Sequence, residues 1–225
     1  MALLGGCASD VVACGVGCSP SPSWQLATEQ SVGAGARGIV VTDCNGDDHA
    51  DIVVANSASA TISVLKGHGD GSFAAQETFS AGPKPWMLAL GDFDGDGVKD
   101  LVVANFVNGA SVMMGYGNCA FSPATNILPP APSGMYSTAA LAVAARDLDG
   151  DGHDDIIAQA TGPMGVASFF AVLYGKGAAI FEPAVMIPVK SPTSEIVVAD
   201  FNSDNIPDIA GAQSSSREVP APMPL

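Results

Sequence analysis

Asp92-Phe-Asp-Gly-Asp-Gly-Val-Lys-Asp100 is the stretch whose reading decides the fold, because the chain repeats its pattern four times. The other copies are Asp43-Cys-Asn-Gly-Asp-Asp-His-Ala-Asp51, Asp147-Leu-Asp-Gly-Asp-Gly-His-Asp-Asp155 and Asp200-Phe-Asn-Ser-Asp-Asn-Ile-Pro-Asp208. Oxygen-bearing side chains fall at positions 1, 3, 5 and 9 of every copy, and successive copies begin 49, 55 and 53 residues apart. A period of that size is the signature of solenoids and propellers.

The repeat extends outward from each acidic window. A short β-rich run follows each one, as in 52–56, 101–105, 156–158 and 209–210, and another precedes it, at 39–41, 87–90, 141–144 and 196–199. Each window therefore joins two strands. Further along comes a third apolar run ending in Gly-x-Gly with an aromatic residue four positions later: Gly67, Gly69 and Phe73; Gly115, Gly117 and Phe121; Gly175, Gly177 and Phe181. Paired glycines there predict a hairpin turn with positive φ, and a fourth strand follows the Phe. The unit is a four-stranded antiparallel blade, and the fold class is all-β, a β-propeller. Unbroken apolar runs in the inner strands predict sheets covered on both faces.

Composition agrees. Gly (26) and Pro (16) are abundant while charged residues make up only 14%, which suits short strands and tight turns. The formal charge is −15, but 48% hydrophobic residues argue against disorder. Sixteen of the 23 acidic residues lie in the four windows. One divalent cation in each would bring the charge to about −7, ordinary for a soluble domain. Eight Lys and Arg scattered along the chain make no basic stripe for nucleic acid. The longest apolar run, 166–174, is too short to span a bilayer. Leu4-Gly5-Gly6-Cys7 faintly matches a lipoprotein box but lacks a basic segment before it, so no signal peptide is expected. Of the five cysteines (7, 14, 18, 44 and 119), one N-terminal disulfide is conceivable, and free buried thiols are the plainer expectation.

Carboxylates at positions 1, 3 and 5 of a curled loop converge on a point, position 7 adds its backbone carbonyl, and Asp at 9 closes a cage of hard oxygens suited to Ca²⁺. The expected ligands are Asp43, Asn45, Asp47, His49 and Asp51; Asp92, Asp94, Asp96, Val98 and Asp100; Asp147, Asp149, Asp151, His153 and Asp155; and Asp200, Asn202, Asp204, Ile206 and Asp208. Position 6, held by Asp48, Gly97, Gly152 and Asn205, is expected to be left-handed. An EF-hand would need Glu at position 12, where Val54, Val103, Ala158 and Gly211 stand.

With Leu90-Gly-Asp-Phe-Asp-Gly-Asp-Gly-Val-Lys-Asp-Leu-Val-Val-Ala-Asn105 and Ile62-Ser-Val-Leu-Lys-Gly-His-Gly-Asp-Gly-Ser-Phe73, residues 10–212 resemble the FG-GAP/VCBS repeat family. Blades of that family build the seven-bladed propeller of integrin α subunits and of many secreted bacterial proteins. The resemblance implies an extracellular or cell-surface calcium-binding module for adhesion, its ligand a glycan or protein. The fourth loop, with Asn202, Ser203, Asn205 and Pro207, departs most from the family pattern.

Seven blades need roughly 350 residues at this period, so the 225 residues here predict three full blades plus two half blades. A partial propeller, completed by further blades or by self-association, and a small closed ring both fit. Residues 1–9 are expected to be a separate N-terminal segment and 213–225 a disordered tail.

No catalytic constellation appears. His49 and His153 fall at position 7 of loops and His68 lies in a hairpin; no nucleophile elbow, phosphate loop or dinucleotide fingerprint occurs. The chain is expected not to be an enzyme, with a structural spacer or a part of a polysaccharide-active propeller enzyme as alternatives.

Overall fold

The computed structural model describes residues 10–16, 24–107, 109–128, 139–161 and 168–213. The N-terminal segment, Cys7, Cys18 and nearly all of the expected tail lie outside them. Sixteen strands run in chain order: β1 (Asp10–Val16), β2 (Trp24–Ser31), β3 (Ala36–Thr42), β4 (Asp51–Asn56), β5 (Thr61–Leu65), β6 (Glu77–Ser80), β7 (Pro85–Gly91), β8 (Asp100–Asn105), β9 (Gly109–Met113), β10 (Thr125–Asn126), β11 (Ala139–Arg146), β12 (Asp155–Thr161), β13 (Ser168–Leu173), β14 (Val185–Val189), β15 (Thr193–Ala199) and β16 (Asp208–Gln213). They form three four-stranded antiparallel meanders: sheet 1 (β3 to β6), sheet 2 (β7 to β10) and sheet 3 (β11 to β14). β1–β2 and β15–β16 make separate two-stranded sheets, with no hydrogen-bonded pairing between them among the described residues.

The second and third strands of each meander are buried almost throughout because their alternating side chains feed two different cores. Val53 and Ala55 pack with Leu101 and Val103 between sheets 1 and 2. Val102 and Ala104 turn the other way and meet Ile156 and Ala158 of sheet 3. Ile157 and Val172 then face Ile196 of β15. Stacking of neighbouring sheets supplies the core that one four-stranded sheet cannot make for itself. The outermost strands are exposed, as at Val185, Met186 and Ile187 of β14.

The seams between sheets have a second component. The residue at loop position 2 lends its carbonyl to the hairpin of the next sheet: Cys119 N–H donates to Cys44 O at 3.0 Å, and Ala179 N–H to Phe93 O at 2.9 Å. The side chains of position 2 meet that hairpin as well. Phe93 packs edge-on against Phe181, ring centroids 5.8 Å apart. At the preceding seam Cys44 and Cys119 form a disulfide across 75 residues of chain. The expectation of free buried thiols is thus overturned for these two cysteines: stacking of sheets 1 and 2 brings them together, which their spacing in the sequence does not show.

Replacing both cysteines by Ser should lower unfolding free energy by about 4 kcal/mol, the chain-entropy value for a loop of this length. Denaturant titration of the oxidised wild type against C44S/C119S measures it.

Candidate metal centre

The four acidic windows adopt one conformation, written by their own side chains. The position 1 carboxylate gathers backbone N–H groups from across the loop. Asp92 accepts from Gly95 at 2.7 Å and Gly97 at 2.9 Å, and Asp147 from Gly150 at 2.7 Å and Gly152 at 3.0 Å. Asp43 and Asp200 likewise accept from Asp48 and Asn205, each at 2.8 Å. Position 3 accepts from the position 5 N–H, as in Asp94 from Asp96 and Asp149 from Asp151, each at 3.2 Å. Position 5 accepts from the position 7 N–H, as in Asp96 from Val98 at 2.7 Å and Asp151 from His153 at 3.0 Å.

Position 6 is left-handed in every loop, with φ of 64° at Asp48, 83° at Gly97, 90° at Gly152 and 66° at Asn205. Position 4 shares that conformation, from Gly46 to Ser203 at 65°. Two left-handed residues per loop curl it tightly enough for side chains 1, 3 and 5 to share a side.

Position 9 is tied in differently. Asp51, Asp100 and Asp155 are fully buried. One oxygen accepts the N–H of position 2, from Cys44 at 2.9 Å, Phe93 at 2.8 Å and Leu148 at 2.7 Å. The other accepts the N–H of the first hairpin glycine, from Gly67 at 2.8 Å, Gly115 at 2.8 Å and Gly175 at 2.7 Å. Each oxygen keeps a lone pair, so a ligand role stays open to it. Only the second hairpin glycine has positive φ, 77°, 75° and 70° at Gly69, Gly117 and Gly177. The first is there for close approach, since a Cβ on Gly67, Gly115 or Gly175 would collide with the carbonyl oxygen of Ala50, Lys99 or Asp154. The expected hairpin with positive φ is thus present, and the two glycines serve different ends. The rings of His49 and His153 lie against Gly69 and Gly177, directed at the hairpin.

The loops differ in electrostatics. Oxygens of Asp92, Asp94 and Asp96, and of Asp147, Asp149 and Asp155, come within 4.8 Å of one another. In the first and fourth loops position 3 is Asn, and its amide answers the acid at position 5: Asn45 Nδ2 donates to Asp47 at 2.9 Å and Asn202 Nδ2 to Asp204 at 3.0 Å. In the third loop Lys176 Nζ lies 3.2 Å from Asp151 and 3.7 Å from Asp149. In the second, Lys99 turns instead to Asp154 at 3.8 Å. The second loop is thus the least neutralised from within, and its hard oxygens suit a divalent cation such as Ca²⁺.

Burial, followed by the neighbouring charges of Asp94 and Asp92, pushes Asp100 up to about 6 despite two N–H donors. Burial also raises Asp155. Donation from Asn205, joined by Ser203, Asp204 and Asn202, lowers Asp200 against the opposing effect of desolvation.

A raised carboxyl binds its proton more tightly in the folded chain. Its contribution to stability is complete below the ordinary value of 3.8 and is lost as pH rises through about 6. Metal-free protein should therefore melt at a lower temperature at pH 7 than at pH 5; melting curves across this range test it.

FG-GAP-like repeats match residues 43–103 and 92–158. Two solved structures share the fold. BBS1N in complex with ARL6DN, soaked with lead, aligns at 12% identity with a TM-score of 0.50, over 81% of this chain and 52% of that one. The exotype rhamnogalacturonan lyase YesX aligns at 13% identity with a TM-score of 0.50, over 90% of this chain and 42% of that one. The chain thus spans about half the length of these solved chains, and the likeness is one of fold alone, to propeller-like neighbours. No curated protein matches. The two repeat matches together run from 43 to 158, just over half of the chain, and take in three acidic loops and the strands β4 to β11 between them. The chain belongs to the family of FG-GAP-like repeats.

Proposed function

We propose that this chain is a calcium-binding propeller module of an extracellular or cell-surface protein, built for adhesion or ligand binding and not for catalysis. The observation that carries the reading is the convergence of three carboxylates within 4.8 Å in the second loop, with no ammonium of the chain engaging them among the described contacts. Such a cluster is repulsive on its own and is relieved by a divalent cation. Weak oxygen cages of this kind suit the calcium levels outside cells. The three meanders are whole blades, and β1–β2 with β15–β16 are the half blades.

Clustered loop carboxylates with shared backbone donors fit metal cages better than an acid–base pair, since a cation lowers the pKa that a general acid needs raised. One structural neighbour is a lyase, and an enzymatic reading would require polysaccharide cleavage that survives calcium removal and fails on substitution of one exposed carboxylate.

Calcium at 100 times its Kd should add about 2.7 kcal/mol per site, a rise in melting temperature on the order of 5–10 °C. D94N should remove most of the second loop's share of the rise. N45D should enlarge it, because it replaces the amide that answers Asp47, and K176A should strengthen the third loop. A melting curve indifferent to calcium and to chelator overturns the metal reading.

A further inference from the structure

Sheets 1 and 2 are near copies, so a place where one departs from the other without structural need points to function. Such a place lies at the end of the sheets opposite the acidic loops. Counting back from position 1 of each loop, Gly35 of sheet 1 corresponds to Lys84 of sheet 2, and Arg37 to Trp86. Counting on from the buried Asn that ends β4 and β8, Ser57 corresponds to Phe106. The backbone is indifferent to these changes: Ser57 N–H donates to Gly35 O at 2.8 Å, and Phe106 N–H to Lys84 O at 2.9 Å. Beneath them Asn56 donates to Ser63 at 2.8 Å and Asn105 to Ser111 at 2.7 Å.

Lys84 stands where the copy has a left-handed glycine. Gly35 has φ of 75° and Lys84 φ of 50°, so a side chain has been placed where the backbone disfavours one. It closes a row of four groups. Arg37 Cζ lies 4.4 Å from the centre of the Trp86 ring, Trp86 and Phe106 lie 5.6 Å apart at an interplanar angle of 35°, and Lys84 Nζ lies 5.9 Å from the Phe106 ring. The row opens to solvent at its Phe106 end, where that ring is 43% exposed, while Trp86 is half-buried.

Charge tells what would settle there. The connections at this end, 32–35, 56–61, 81–86 and 105–107, contain no carboxylate, whereas the acid of a chain at −15 is concentrated at the other end. Two cations flanking two aromatic rings complement a ligand that has both apolar ring faces and a negative group. The row is short, matching one or two sugar rings.

We infer that this end of sheets 1 and 2 binds a glycan of carboxylated sugars, a C–H face against the exposed Phe106 and carboxylates at the two ends of the row, on Lys84 and on Arg37. The inference rests on the reading of the chain as a ligand-binding module and adds its ligand class and place.

The test is titration of the calcium-loaded full chain with trigalacturonate, read by calorimetry and by the fluorescence of Trp86 in a W24F background. K84G and F106S are the informative variants, because each gives sheet 2 the residue that sheet 1 already folds with. Binding by the wild type, weakened about tenfold or more in both variants with the melting temperature held or raised, and absent for the methyl-esterified trimer, supports the site. Equal binding by the variants, equal binding of the neutral ester, or preference for a hexaglutamate peptide overturns it. No binding of trigalacturonate by a wild type that still answers calcium overturns this site alone, whereas loss of the calcium response as well would sink the module reading with it.

Discussion

The fold depends on one buried carboxylate per repeat. Asp51, Asp100 and Asp155 each hold the start of an acidic loop with one oxygen and the first hairpin glycine with the other. Burying a charge is costly, and two charge-assisted hydrogen bonds offset that only with good geometry. The geometry comes from glycine, because the missing Cβ at Gly67, Gly115 and Gly175 lets the hairpin close on the carbonyl of position 8. Asn at position 9 would offer one acceptor to two donors, and Glu would push the hairpin away. The same carboxylate thus fixes loop, hairpin and the strand order between them.

From that clamp the stacking of sheets follows. With position 2 held by its N–H, its carbonyl and side chain are presented to the next sheet, and the hairpin there answers with an N–H and a side chain. The seam tolerates different chemistries at this point, an aromatic pair at Phe93 and Phe181 and a disulfide at Cys44 and Cys119. Phe201, the position 2 residue of the fourth loop, is 59% exposed. Its backbone N–H is nonetheless held by Asp208 at 3.0 Å, so the loop keeps its form without a hairpin packed on position 2.

What was legible in the sequence was what local chemistry dictates. The alternation of oxygens, the left-handed position 6 and the strand on each side of every loop are decided within about ten residues of one another, and the structure has them. Nonlocal features were not legible in this way. The union of Cys44 with Cys119 depends on how two sheets stack, and Arg37, Trp86 and Phe106 meet from separate strands and turns. The first hairpin glycine was visible as a residue but not as a reason, since the carbonyl it must approach belongs to a loop 17, 16 or 21 residues earlier. The double duty of position 9 was hidden likewise, because an aspartate in an acidic window reads first as a ligand.

One substitution separates loops that are content alone from loops that are not. With Asn at position 3, an amide N–H does for Asp47 and Asp204 what a cation would do, at the cost of one carboxylate from the cage. With Asp there, as at Asp94, three acids converge and the loop carries its repulsion until something positive arrives. The third loop is intermediate, since Lys176 reaches over from the hairpin to Asp149 and Asp151. Asp100 ties the second loop to its own hairpin, and Phe93 at position 2 of that loop packs on Phe181 of the next sheet, so the loop and the second seam share one anchor.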